Sequence, residues 1–162
     1  MLLKTYAAAL QGIHAELVTV EIHAVPGVNF SLVGLPDNAV KESRERIYAA
    51  MQVNGFGIPH KEITINMAPA DLKKEGASYD LTLAISILAA TEAVHTAHLA
   101  DYLIMGELSL DGSIQPIHGV LPIALCAQQC GFKGIIIACT ANNDTKDFDD
   151  YNDLTYVVYV DS

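Results

Sequence analysis

The sequence predicts a single α/β domain with two layers (α+β type), and three observations support this prediction. The chain has 162 residues, which lies within the roughly 100–200 residues of a single domain. Apolar residues make up 51% of it and charged residues only 17%, so a core can form without disulfides or metals. Segments with the pattern of strands alternate with helical segments after a strand-rich start. Disordered and collagen-like classes are therefore excluded.

The predicted strands are short β-branched or alternating segments separated by turn residues. In the first half they are 3–10, 15–24, 29–34 and 62–67, and in the second half 102–108, 113–117, 135–139 and 154–160. Pro26 and Gly27 separate the second and third strands by a short turn, which predicts a hairpin between them. Leu110, Asp111 and Gly112 predict the turn of another hairpin, because Asp-Gly is a strong hairpin signal.

The predicted helices follow from periodicity and end signals. Pro36 is expected to open the first, and Asn54 and Gly55 to end it. One face of this helix carries Val40, Arg44, Ile47 and Met51, while Lys41, Glu42, Glu45 and Arg46 lie largely on other faces. Further helices are predicted at 81–90, with Asp80 as its cap, at 121–130, and as a short acidic helix at 142–151.

The charge balance and the cysteines limit the classes of partner. A net charge of −10 makes tight, autonomous DNA binding a poor expectation, because such binding requires Lys and Arg to neutralise phosphates. Cys126, Cys130 and Cys139 are odd in number and form no C-x-x-C, so reduced core thiols and no metal site are expected. No signal peptide or segment of about 20 apolar residues occurs. We therefore expect a cytoplasmic protein with no membrane partner.

The sequence contains no phosphate-binding loop for a nucleotide. No glycine is followed directly by lysine, so the G-x-x-x-x-G-K-[ST] loop that surrounds phosphates is absent. We accordingly expect no cofactor, neither ATP nor Mg, in this chain.

Several ordered blocks resemble the N-terminal domain of the Mg-chelatase-like AAA+ ATPases, the ComM/YifB group. The resemblance extends from about Lys4 to Cys139, and its blocks are 33–37, 40–46, 54–56, 63–72, 74–76, 106–112 and 119–122. It implies that 1–162 is a single N-terminal domain of a longer protein, whose ATPase module binds ATP and Mg. It further implies that the parent forms a ring and acts on DNA in competence or recombination, as a branch-migration helicase. The expected partners are the chain's own ATPase module, neighbouring subunits of the ring and, through the parent, DNA.

The same segments are similar to the proteolytic domain of Lon protease. This resemblance implies the fold shared by the Lon protease domain and the GHMP kinases, which includes a left-handed βαβ unit. Ser78 falls on the position of the Lon nucleophile, and Leu121 on that of the catalytic lysine. Because leucine cannot take a proton from a serine hydroxyl, we expect a non-catalytic accessory or regulatory domain. The alternative is a Ser-dependent, Lon-like peptidase that uses Ser78, with His118 as its base.

The remaining charged residues allow two interpretations each. Lys73 and Lys74 are the other bases near Ser78 and are expected to be solvated loop charges. Lys41, Arg44 and Arg46 are candidate contacts for nucleic acid or a partner, or else form a solvated face with Lys41–Glu45 and Glu42–Arg46 pairs. A loop is predicted at 69–77. Four polar residues in or near it either cap backbone amides or form a docking surface for the ATPase module: Asn66, Asp71, Glu75 and Asp80.

Overall fold

The computed structural model describes residues 2–138 and the backbone of strand 157–160. The larger sheet has four strands in the order β1-β2-β4-β3. Strands β1 (Leu2–Gln11) and β2 (His14–Pro26) form an antiparallel hairpin, and β4 (Lys61–Ala68) is antiparallel to β2. Strand β3 (Phe30–Val33) lies at the edge, parallel to β4. The predicted mixed α/β class is confirmed, while the handedness of the β3–helix–β4 connection stays a prediction.

The second half of the chain forms a smaller parallel sheet and a short hairpin. The sheet has the order β5-β8-β9, with β5 at Tyr102–Ile104, β8 at Gly134–Ala138 and β9 at Val157–Val160. The hairpin joins β6 (Glu107–Leu108) to β7 (Ile114–Gln115) across Asp111 and Gly112, as predicted.

Four helices and one turn of 3-10 helix at Leu99–Asp101 complete the described part of the chain. The helices are α1 (Asn38–Lys41), α2 (Ser43–Val53), α3 (Asp80–Ala90) and α4 (Val120–Gln129). Helices α3 and α4 pack on β1 and β2, and α2 packs on α3. Alternate β2 and β4 residues such as Val20, Ile22 and Ile65 are fully buried, as expected for a sheet with one covered face. None of the helices in the described part is long and apolar enough to cross a membrane.

The predicted hairpin between the second and third strands is wrong. Strand β4 lies between β2 and β3, so these two strands do not pair. The Pro26–Gly27 turn reverses the chain, but it is β4 that forms backbone hydrogen bonds with β2 on that side. Strand pairing of this kind depends on residues distant in sequence, which local turn signals do not report.

Two other predicted boundaries also need correction. Pro36 does not open the first helix: Asp37 caps it, its side chain accepting from the Val40 amide at 2.8 Å. Pro36 instead bridges to Lys74. The predicted strand 102–108 is divided at Gly106, whose amide donates to the Ser78 carbonyl and whose carbonyl accepts from Leu81. The amide and carbonyl of Gly106 thus bond to residues at the start of α3, so they are not free to pair with a neighbouring strand. The predicted helix at 142–151 lies outside the described residues.

Candidate functional site

A cleft of about 180 Å³ surrounds Ser78, at the position where the sequence predicts a degenerate nucleophile. Ser78 and Lys73 come from the loop before α3, and His118 comes from the turn before α4. The Gly106 amide donates to the Ser78 carbonyl over 2.8 Å, which fixes the Ser78 backbone. The Ser78 hydroxyl has no hydrogen-bond partner among residues 2–138, and no side chain caps the start of α3. The hydroxyl therefore depends on a neighbouring side chain for any activation.

Leu121, the residue at the expected base position, lies in the first turn of α4 and is 45% exposed. Ile123 is the α4 residue that lines the cleft. Neither side chain can accept a proton, so α4 supplies no base to Ser78.

Lys73, Glu75 and His118 are the side chains lining the cleft that could act as bases. The Lys73 ammonium lies 2.5 Å from Glu75 Oε1, and this hydrogen bond raises the pKa of Lys73. Lys73 is therefore protonated and cannot act as a general base. His118 is exposed and lines the same cleft, but no hydrogen bond joins it to Ser78 within the described part.

Lys74 contradicts the expectation of a solvated loop charge, because its side chain is fully buried. Its ammonium donates to the Pro69 carbonyl. Burial lowers the pKa of Lys74, against an opposing effect of Asp71. The cause lies in the backbone, since the Lys74 amide and carbonyl bond to Leu35 and Asp37. These bonds hold the loop against the start of α1 and direct the side chain inward.

Asp37 organises this loop and was not singled out as a site residue in the sequence. Its two carboxylate oxygens accept from the amides of Val40 at 2.8 Å and Gly76 at 3.0 Å. An aspartate immediately before a helical pattern is a cap signature, which could have identified the first of these contacts. The second joins residues 39 positions apart and has no local signal.

Arg46 and Asp80 form a nearly buried ion pair, which corrects both of their predicted roles. Asp80 accepts from Arg46 Nε at 2.6 Å and from Nη2 at 2.9 Å, and also accepts from the Leu108 amide at 3.2 Å. Burial raises the pKa of the Asp80 carboxyl, while these hydrogen bonds oppose that effect. The hydrogen bond to Asp80 raises the pKa of Arg46. Asp80 is therefore not a helix cap, and Arg46 is not available to phosphate.

Arg44 and Lys41 remain on the surface. The Arg44 guanidinium lies 5.8 Å from the ring centre of Phe30 and 5.3 Å from that of Tyr48, within the range of cation–π attraction. It therefore covers an aromatic pair at the β3 edge. The predicted Lys41–Glu45 and Glu42–Arg46 pairs are not found among the described ion pairs.

The four polar residues near the loop do not act as one group. Asn66 donates to Glu21 at 2.9 Å, Glu75 pairs with Lys73, and Asp80 pairs with Arg46. No cluster of three or more metal-ligating side chains occurs in the part of the chain described here. Cys126 is buried and Cys130 is exposed, while Cys139 lies outside the described residues.

Comparison with known proteins identifies the family. The family model described as subunit ChlI of Mg-chelatase matches residues 20–141. Competence protein ComM of Haemophilus influenzae is 44% identical over 138 residues, and protein YifB of Escherichia coli 41% over 140. These alignments cover 85% and 86% of this chain but only 27% of each relative. Lon protease 2 of Thermus thermophilus is 29% identical over 140 residues, which are 82% of this chain and 17% of that protein. The chain therefore belongs to the Mg-chelatase ChlI family and, within it, resembles the ComM and YifB proteins.

Proposed function

We propose that this chain is a non-catalytic accessory domain of a longer parent protein. The parent would be a Mg-chelatase-like AAA+ ATPase that acts on DNA. The observation that carries the proposal is that Ser78 has no hydrogen bond to a base among the described residues: Leu121 stands at the expected base position, Lys73 pairs with Glu75, and His118 is not bonded to Ser78. A serine hydroxyl without a base is a weak nucleophile. The domain would then serve as a non-hydrolytic part of a larger assembly.

The role of the parent is inferred from its relatives. The matched region covers only 27% of each of the two relatives above, so each relative is several times longer than that region. That length accommodates an ATPase module that would hold ATP and Mg outside this chain. The name of the Haemophilus influenzae protein refers to competence, which supports DNA as the substrate of the assembly. The domain would then contact its own ATPase module and neighbouring subunits of a cytoplasmic ring.

The proposal is tested on the full-length parent with two variants. We expect Ser78→Ala to leave ATP hydrolysis and DNA strand exchange unchanged and to cost less than about 0.5 kcal/mol of stability, because the hydroxyl has no partner. Deletion of residues 1–138 should instead impair ring assembly or DNA strand exchange while ATP hydrolysis persists.

Cleavage of unfolded casein is the deciding control for the peptidase alternative. We expect no cleavage by the parent or by the chain alone. If casein is cut and Ser78→Ala abolishes the cut, the domain is catalytic, and His118→Ala then tests the base.

A further inference from the structure

Two thiols lie one helical turn apart at the end of α4. The Cys130 amide donates to the Cys126 carbonyl at 3.0 Å, so the helical turn between the two residues is intact, and Gly131, with a φ of 80°, follows it. Residues four positions apart in a helix share a face, and their Cβ atoms are about 5–6 Å apart. Cys126 and Cys130 therefore direct their sulfur atoms toward the same part of the molecule.

The two thiols differ in exposure, but they interact with each other. Cys126 is 5% exposed, whereas Cys130 is exposed. Burial raises the pKa of Cys126, and Cys130 raises it further through its charge and a hydrogen bond between the thiols, while Glu16 on β2 acts in the same direction. The sequence-based expectation of core thiols thus applies to Cys126 alone, and Cys130 connects the pair to solvent.

A disulfide does not fit this pair. The Cβ atoms of a disulfide are about 3.5–4.5 Å apart, which is less than the separation of about 5–6 Å across one helical turn. An S–S bond would therefore unwind the last turn of α4 and break the hydrogen bond from Cys130 to Cys126. A metal atom between the sulfurs removes this conflict, because two bonds of about 2.3 Å, the length of a zinc–thiolate bond, replace one S–S bond of about 2.0 Å.

The number of available ligands selects the class of metal. Structural zinc takes four protein ligands and catalytic zinc takes three. Among the residues that the structure describes, no group of three or more His, Cys, Asp and Glu side chains could hold a metal ion, so this pair supplies two ligands. Thiolates select soft ions such as Cu(I), and a soft ion that accepts two ligands is the kind that this pair can satisfy.

We propose that Cys126 and Cys130 form a two-thiolate site for the soft metal ion Cu(I) at the end of α4. Each thiol releases its proton to solvent as its metal–sulfur bond forms, and the metal is neither oxidised nor reduced. The ion arrives at the exposed Cys130, and the buried Cys126 completes its coordination. The proposal replaces the sequence-based expectation of no metal site. It goes beyond the accessory role, which rests on the Ser78 cleft and stands whether or not this site binds metal.

The experiment titrates Cu(I) into the reduced 162-residue chain without oxygen, in competition with the colorimetric chelator bathocuproine disulfonate. We expect one Cu(I) per chain, with two sulfur neighbours in X-ray absorption. Cys126→Ala and Cys130→Ser should each weaken binding by about 100-fold or more, because the second metal–sulfur bond is intramolecular only when both thiols are present. Cys130→Ser changes an exposed side chain, so it tests the site even if Cys126→Ala disturbs the core.

The matched control is Cys139→Ser, which removes the third cysteine of the sequence and should leave the Cu(I) affinity unchanged. Zn(II) should bind far more weakly than Cu(I), because two ligands leave its tetrahedral shell incomplete. Four results would overturn the proposal: no Cu(I) retained against the chelator, equal weakening by Cys139→Ser, Zn(II) bound as tightly as Cu(I), or full affinity in Cys126→Ala with a dimer bridged through Cys130.

Discussion

Lys74 connects a single side chain to the stability of the whole chain. Burial lowers its pKa, whereas a lysine in an unfolded chain titrates near about 10.4. Between these two pKa values the unfolded chain binds more protons, so the free energy of unfolding rises with pH there, and this gain is lost as pH falls through the folded pKa. We expect Lys74→Met to flatten that rise, as measured by urea unfolding between about pH 8 and pH 10.

The matched control for this prediction is Lys73→Met. Lys73 is exposed and its pKa is raised rather than lowered, so its removal should leave the slope below about pH 10 unchanged. Equal slopes for the wild type and Lys74→Met would show that the ammonium is as well solvated as in the unfolded chain.

The sequence predicted which residues lie at the site better than it predicted the burial and the partners of the residues around them. Ser78 and His118 do line one cleft, and Leu121 offers no base. The burial of Lys74 could not be predicted, because it stands between Lys73 and Glu75 in a hydrophilic loop and is covered only when Leu35 and Asp37 bind its backbone. Likewise, Arg46 and Asp80 are 34 positions apart, and no local pattern links them.

At the scale of elements, the Arg46–Asp80 pair joins α2 and α3 and reaches β6 through the Leu108 amide. The Asp80 side chain is 1% exposed and that of Arg46 20%. Removing one partner leaves a poorly solvated charge, so we expect Asp80→Ala to cost about 3 kcal/mol of unfolding free energy, near the lower end for buried pairs. Arg46→Lys should also destabilise, because an ammonium cannot replace the two-point contact.

A double-mutant cycle with Arg46→Met tests this prediction by chemical denaturation. We expect the double variant to be less destabilised than the two single variants added together. Faster hydrogen exchange at the Leu108 amide in Asp80→Ala would report the loss of the link to β6. Strict additivity of the two single variants would contradict the pairing.

Element identity followed from the sequence more fully than element pairing did. The sequence indicated β1, β2 and β4 as strands and α3 and α4 as helices, the helices from composition and end signals. It predicted α1 and α2 as one helix, whereas the structure divides them at Glu42. The position of β3 depends on a partner that arrives about thirty residues later in the chain, at Ile63. Only the assembled sheet decides that pairing.

At the scale of the whole molecule, the net charge of −10 opposes nucleic-acid binding by this chain alone. Arg44 and Lys41 are the cations left exposed from the predicted contact set. We expect the chain to bind duplex DNA with a Kd weaker than about 10⁻⁶ M at physiological salt, as measured by anisotropy of labelled DNA. A tight complex that Arg44→Ala weakens and the control Lys133→Ala does not would contradict this expectation.

The strand order β1-β2-β4-β3 also sets a sequence of events during synthesis. The β1–β2 hairpin is complete once residue 26 has left the ribosome, but β3 can pair only after β4 at residues 61–68 has emerged and docked. Until then, β3 has no strand to pair with in the nascent chain, and long-range pairing of this kind is slow. Pauses in translation before residues 61–68 have left the ribosome would therefore prolong the exposure of β3 to chaperones, whereas later pauses would not.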